Sequence, residues 1–261
     1  MSKSPDPSPV LESVVEQRVV GPILVVTIRR EAKRNAIDGQ TTAGIDAALN
    51  RLEDDETLRV GILTGGPSMF SAGTDLVRTA GSPTPRGGEY GIIRRKRRKP
   101  LIAAVEGFAL GGGMEIVLAC DLVCASRGTR FGLPEVQKAL VPTCGGLFRP
   151  VRALPLNIAR ELMLTGDPLE AERAHALGFV NRLTEPGQAF EAALALAERI
   201  VRNGPVAIDQ SLAVTQTLTG ADDITAWALT DAATATIMRS ADALEGRNAF
   251  VEKREPRWSG K

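Results

Sequence analysis

At 261 residues the chain is long enough to bury a substantial core. Its composition, 43% apolar and 24% charged, is that of an ordinary globular protein. The 32 basic residues against 31 acidic ones leave a net charge of +1, which excludes a global attraction to nucleic acid or membrane. The three cysteines, Cys120, Cys124 and Cys144, are odd in number and lack metal-ligand spacing, so neither a disulfide framework nor a metal site is expected, and a cytoplasmic location fits. With one histidine, His175, in a helix-like stretch, acid–base chemistry falls to carboxylates.

In chain order, "MSKSPDPSPV" has no apolar targeting core, and residues 1–14 read as a disordered tail. The β-branched runs "ILVVTI" (23–28) and "RVGILTG" (59–65) read as strands, with a helix at "TTAGIDAALNRLEDD" between them. "LIAAVEG" (101–107) reads as a third strand leading into a glycine-led helix. "DLVCAS" and "TRFGLPE" read as further short strands. This alternation predicts an α/β core over 15–186 with buried strands. From 187 to 261 four amphipathic helical stretches follow, punctuated by Gly204–Pro205 and Gly220, and predict a helical region suited to packing on another subunit. The basic run "RRKRRK" (94–99) reads as a solvated helix face, with a contact to phosphate groups as the alternative; without interleaved aromatics it does not point to nucleic acid.

Three motifs stand out. "MFSAGTDL" (69–76) follows a strand, where open α/β sheets place ligands, and its small residues let backbone N–H groups face one. An ordinary tight turn with Asp75 capping a helix fits equally. In "GGGMEIVLACDLVCA" (111–125) the first-turn N–H groups lack intrahelical partners and form a donor site for negative charge. Glu115 sits in that turn with no neutralising neighbour at helical spacing. Burying even an uncharged polar group unpaired costs roughly 2–7 kcal/mol, so Glu115 either caps the turn or serves chemistry. In "FGLPEVQKALVPTCGG", Glu135 follows Pro134 and precedes a Pro–Gly loop; it is either a surface carboxylate or a partner of Glu115. Together the two glutamates and two glycine-rich backbone sites could hold a water while N–H donors polarise a carbonyl.

At this combination the chain resembles the enoyl-CoA hydratase/isomerase family, the crotonase fold, from about residue 15 onward. The resemblance is carried by "AKRNAID", "FSAGTDL", "KPLIAAVEGFALGGGMEIVLACDLVCAS", "FGLPEVQKALVPTCGG", "ARELMLTGDPLEAERAHALGFVN" and "AFVEKR", in family order. It implies a spiral of ββα units with a C-terminal helical oligomerisation region, and a homotrimer or a hexamer built as a dimer of trimers. It also implies an acyl-CoA thioester substrate, with CoA as part of the substrate and no separate cofactor. The N–H groups of Ala72 and Gly112 are expected to form the oxyanion hole. Glu115 is expected to activate water and Glu135 to supply the α-carbon proton in hydration of a 2-enoyl-CoA. Around the substrate the resemblance sets Lys33, Arg34, Ala36, Gly73, Thr74, Asp75 and Leu76, with Phe250 and Lys253 toward the CoA adenine, often from a neighbouring subunit. Thr143, where the family often has glycine, and Glu31, where it often has proline, lean toward the carnitinyl-CoA dehydratase branch. Isomerisation of an enoyl-CoA and non-catalytic acyl-CoA binding are the remaining alternatives.

Overall fold

The computed structural model describes residues 13–220 and 222–259, so the tail expected over 1–14 lies outside the described residues except at Ser13 and Val14. Strands β1 (Val15–Val20) and β2 (Ile23–Ile28) form an antiparallel hairpin, and helix α1 (Gly39–Asp54) follows. Next come β3 (Val60–Thr64), β4 (Leu101–Val105), β5 (Phe108–Leu110), α2 (Gly112–Leu118), β6 (Leu122–Ser126) and β7 (Arg130–Gly132). Helices α3 (Arg149–Ala153) and α4 (Leu156–Thr165), strand β8 (Leu169–Glu170), α5 (Ala171–Ala176) and β9 (Arg182–Thr184) complete the α/β part. Four helices close the chain: α6 (Ala189–Val201), α7 (Pro205–Gly220), α8 (Asp223–Met238) and α9 (Ala241–Glu252).

Six strands make one sheet in the order β1-β2-β3-β4-β6-β9, parallel except for β1. Its central strands are apolar on both faces because both are covered. One face packs Leu24, Val26, Leu63 and Ala103 with Ile45, Leu49 and Leu52 of α1. The other packs Ile23, Val60, Ile62 and Ile102 against Ala193 and Ala197 of α6. Each buried Leu or Ile contributes about 1.5–3 kcal/mol by area. The helical region expected from 187 therefore opens with a helix that belongs to the sheet's core. A smaller sheet, β5-β7-β8, stands beside it and carries the chain into α2.

Asp38 starts α1 by accepting the Thr41 N–H at 2.9 Å. "TRFGLPE" is only partly strand, since Pro134 opens a 3-10 turn, Pro134–Lys138. Glu106, buried at the end of β4, takes Ser126 Oγ (2.5 Å) and the N–H groups of Gly187 (3.1 Å) and Ala189 (3.0 Å), pinning the start of α6. His175 Nδ1 meets the Val180 carbonyl oxygen at 2.8 Å, a local structural contact. All three cysteines are free.

The basic run is not a solvated helix face. Arg95 pairs with Asp46 and Arg97 with Asp121 (2.5 Å); Lys99 Nζ donates to the carbonyls of Leu52 and Asp55, each at 2.7 Å. The run sits outside regular helix and fastens α1 to the start of β4 and the end of α2. Those contacts, made with residues far apart in sequence, account for Arg95, Arg97 and Lys99, while Arg94, Lys96 and Arg98 stay exposed.

Helices α7 to α9 are attached lightly. α7 buries no side chain and α8 only Thr230. Trp227 of α8 docks edge-to-face on Phe148 (5.0 Å) and lies under the Arg94 guanidinium (3.9 Å). Gly246 of α9 seats directly on the carbonyl of Lys138, where a Cβ would come to 2.3 Å. No described helix is long and apolar enough to cross a membrane.

Candidate active site

The first wall is the segment after β3. Ser71 donates its N–H to Phe108 O (3.0 Å) and its hydroxyl to Asn35 O (2.8 Å), so the segment runs beside β5. Ala72 donates its N–H to Arg34 O at 3.0 Å. That corrects the expectation of an Ala72 oxyanion donor, because its N–H is already committed. The Ile37 N–H binds Gly73 O and the Asp75 N–H binds Ile37 O, which leaves the intervening Thr74 N–H without an acceptor among the described residues. Gly112, the first residue of α2, likewise has no intrahelical acceptor for its N–H. Gly73 (φ 93°) brings these two places together: a Cβ there would stand 3.1 Å from Gly112 N and 2.7 Å from Leu110 O.

Asp75 turns away from a ligand role. Its carboxylate accepts the Arg78 and Val77 N–H groups at 3.0 Å and Arg30 Nη2 at 3.1 Å; those bonds, the Arg78 N–H first, hold it below the usual carboxylate range. It caps a turn, not a helix. Arg30 also binds Asp38 (3.0 Å) and the Ala36 carbonyl, so a residue no sequence motif marks ties the 30–38 loop to the donor segment. Lys33, Arg34 and Leu76 are exposed and Ala36 is half-buried along the same loops.

Glu115 is 2% exposed, on α2 one turn beyond Gly112. Its Oε1 accepts the N–H groups of Cys144 (2.6 Å) and Gly146 (3.0 Å) from the loop after Glu135. Burial raises its pKa to about 8, with the charge of Glu135 adding to the rise and those two N–H groups opposing it. Thr143 in the same loop is exposed, its Oγ1 3.8 Å from Cys144 Sγ.

Glu135, in the first turn of the 3-10 segment, is raised to about 7, chiefly by burial. Its Oε2 is buried and has no hydrogen-bond partner, which in a native site calls for a ligand or a function. A Cβ on Gly111, at φ 52°, would lie 3.1 Å from the other oxygen, so glycine keeps the approach open. The structure thus brings Glu115, Glu135, Gly112 and Gly73 together. Both carboxyl groups are thus raised, and they titrate as a coupled pair.

Tyr90 is the residue the motifs did not mark. It is 6% exposed, sits at φ 54° between Gly88 (φ 68°) and Gly91 (φ 76°), and is the only tyrosine in the chain. Its hydroxyl lies 2.8 Å from Thr74 Oγ1 and 2.6 Å from where a Gly112 Cβ would stand. Burial, then Glu115 and Cys144, push its phenol well up. A lone tyrosine framed by glycines in "GGEYG" is the signal that could have found it, since a bulky residue at positive φ is held only where its surroundings over-determine it. Phe250 and Lys253 are exposed; the Phe250 ring lies 5.0 Å from Lys138 Nζ of the same chain, on the turn that carries Glu135. No group of three or more residues that could hold a metal ion occurs among the described residues.

The enoyl-CoA hydratase/isomerase family model matches residues 19–261. A carnitinyl-CoA dehydratase of Salmonella arizonae is 37% identical over 251 residues, spanning 92% of this chain and 96% of that one. The crystal structure of a carnitinyl-CoA hydratase from Mycobacterium avium superposes with TM-score 0.90 at 37% identity, covering 96% of this chain and 100% of the other. That of an enoyl-CoA hydratase from Mycobacterium tuberculosis gives TM-score 0.78 at 44% identity, with coverage of 96% and 100%. The fold is crotonase-like, as its motifs imply, and the chain belongs to the enoyl-CoA hydratase/isomerase family.

Proposed function

We propose that the protein is an enoyl-CoA hydratase that adds water reversibly to the double bond of a 2-enoyl-CoA, giving the 3-hydroxyacyl-CoA. One observation carries this reading: a buried and a half-buried carboxyl group, both with raised pKa and the second with a buried oxygen lacking any partner, beside two unspent N–H donors. Glu115 takes a proton from the water as its oxygen bonds to the β-carbon. The double-bond electrons pass to the thioester oxygen as an enolate, held by the N–H groups of Gly112 and Thr74. Thr74 replaces Ala72 in this role because only its N–H is unspent. Glu135 then gives a proton to the α-carbon, and dehydration reverses the steps. Loss of a single such donor costs about 10²–10³ in rate in other enzymes.

CoA enters as part of the substrate, and the chemistry needs no separate cofactor. Lys33, Arg34, Ala36, Gly73 and Leu76 line its approach; Phe250 and Lys253 face its adenine end from α9. Exposed Val214, Leu218, Ile224 and Leu229 on α7 and α8 support assembly into a homotrimer or a dimer of trimers, and the cysteine usage fits a cytoplasmic location. A second reading, dehydration of a polar 3-hydroxyacyl-CoA such as carnitinyl-CoA, is favoured by the Tyr90 hydroxyl beside Thr74 and by the carnitinyl-CoA dehydratase relatives. The test is the loss of the enoyl-thioester ultraviolet absorbance with crotonyl-CoA, run beside carnitinyl-CoA dehydration. Turnover of crotonyl-CoA supports the first reading. Preference for carnitinyl-CoA selects the second, and tight binding without turnover of either sinks both.

A further inference from the structure

Behind Glu115 lies a buried cation that the mechanism does not use. Arg149 opens α3, and its Nη2 donates to the Ile93 carbonyl at 2.5 Å. Its Nη1 is buried and has no acceptor among the described residues. The guanidinium packs beneath Gly145, where a Cβ would meet Arg149 Cδ and Nη1 at 3.2 Å. Gly145 sits at φ 98° and its carbonyl accepts the Arg149 N–H at 3.0 Å. It lies between Cys144 and Gly146, the two residues whose N–H groups hold Glu115 Oε1.

The carboxylates near Arg149 have other partners. Asp223 of α8 pairs with Arg152 at 2.5 Å, and Asp121 pairs with Arg97. Of the carboxylates acting on Arg149, Asp223 comes first and Glu115, across one backbone loop, second, and the coupling with Glu115 runs both ways. A direct ion pair would bind Glu115 so firmly that it lost its basicity. With the loop between them the cation acts through space while Oε1 stays on the two N–H groups.

We propose that Arg149 is a positioning residue that braces the Cys144–Gly146 loop and supplies the counter-charge setting where Glu115 ionises. The inference rests on reading Glu115 as the group that must be ionised for hydration. The other groups facing Glu115 are Glu135, Tyr90 and Cys144, none of them cationic; those facing Arg149 besides Glu115 are Asp223, Arg97 and Arg152. Removing the cation leaves Glu115 more easily protonated, so the acid limb of kcat/KM moves to higher pH and activity returns as pH rises.

The test measures the pH profile of crotonyl-CoA hydration in the full-length protein and in R149M, R149Q and R149K. Alongside it, the Glu115 carboxyl is followed by an infrared titration of its protonated band, assigned by loss in E115Q. Expected is an upward move of both midpoints by about one pH unit in R149M and R149Q, as for a charge several ångströms away, and less than half that in R149K. R149Q keeps an amide donor for Ile93, so its shift reports charge, not a lost hydrogen bond. An unmoved infrared midpoint in R149Q overturns the proposal, whatever the loss of rate. If the infrared midpoint moves but wild-type protein does not hydrate crotonyl-CoA, the proposed function fails and the Arg149 coupling stands.

Discussion

The two carboxylates of the site are held in opposite ways, and the difference assigns their work. Glu115 stands on a helix with one oxygen fastened by two N–H groups and a cation behind that loop. Glu135 stands on a 3-10 turn with one buried oxygen unbound. A fixed carboxylate suits repeated proton abstraction from one water position, and an unsatisfied one suits delivery to a carbon that arrives with substrate. Glu106 gives the contrast: buried but bound by Ser126, Gly187 and Ala189, it has nothing left to offer a ligand.

The largest expected effect comes from removing either proton carrier. E115Q and E135Q should each lower kcat for crotonyl-CoA hydration by about 10²–10⁴. Calorimetric binding of butyryl-CoA should change far less. Near-wild-type turnover in both would break the division of labour. Next, G146A presses on the fixed carboxylate, since its Cβ would stand 3.0 Å from Glu115 Oε1 and 2.5 Å from Pro142 Cβ. We expect a loss of about 10–100-fold in kcat/KM, the scale on which small misplacements act. G111A probes the other side at φ 52° and should cost stability as well as rate, seen as a lowered Tm.

The pH dependence sharpens the same contrast. Both glutamates have folded pKa values above the ordinary 4.5, about 8 and about 7, so the stability their neutral forms confer is full at acid pH and lost as pH rises through those values. E135Q should therefore melt a few degrees above wild type at pH 9, with the gap closing below pH ~4.5. The gain in E115Q should be at least as large, because its carboxyl is raised at least as far even with two N–H groups on it. For kcat/KM the pair predicts a bell centred between pH ~7 and ~8, reporting the pair and not either residue alone.

Much of this was legible in sequence because it is local. The strands at 23–28, 60–64, 101–105 and 122–126 are continuous apolar runs, and the glycine-led helix announces itself. Strand β1, "VEQRVV", escaped because an edge strand with a polar exposed face gives only a weak pattern. The choice between Ala72 and Thr74 was closed to sequence: both lie in one small-residue loop, and only the distant Arg34 carbonyl decides which N–H is spent. The "RRKRRK" charges misled for the same reason, their partners Asp46, Asp121 and the α1 carbonyls being far along the chain. Tyr90 was hidden by a loop whose path depends on Gly91 fitting against α1, where a Cβ would come within 2.6 Å of Thr42 O.

The seat of Gly246 on the Lys138 carbonyl has a consequence for assembly in time. The residues that hold Glu115, on α2 and in the loop through Gly146, all precede α3 in the chain. The turn bearing Glu135 rests on α9, more than 100 residues later in the chain. A chain still being made, or one cut short before α9, holds one carboxylate ready while the turn of the other lacks its floor. Synthesis of α9 is thus coupled to completion of the acid–base pair.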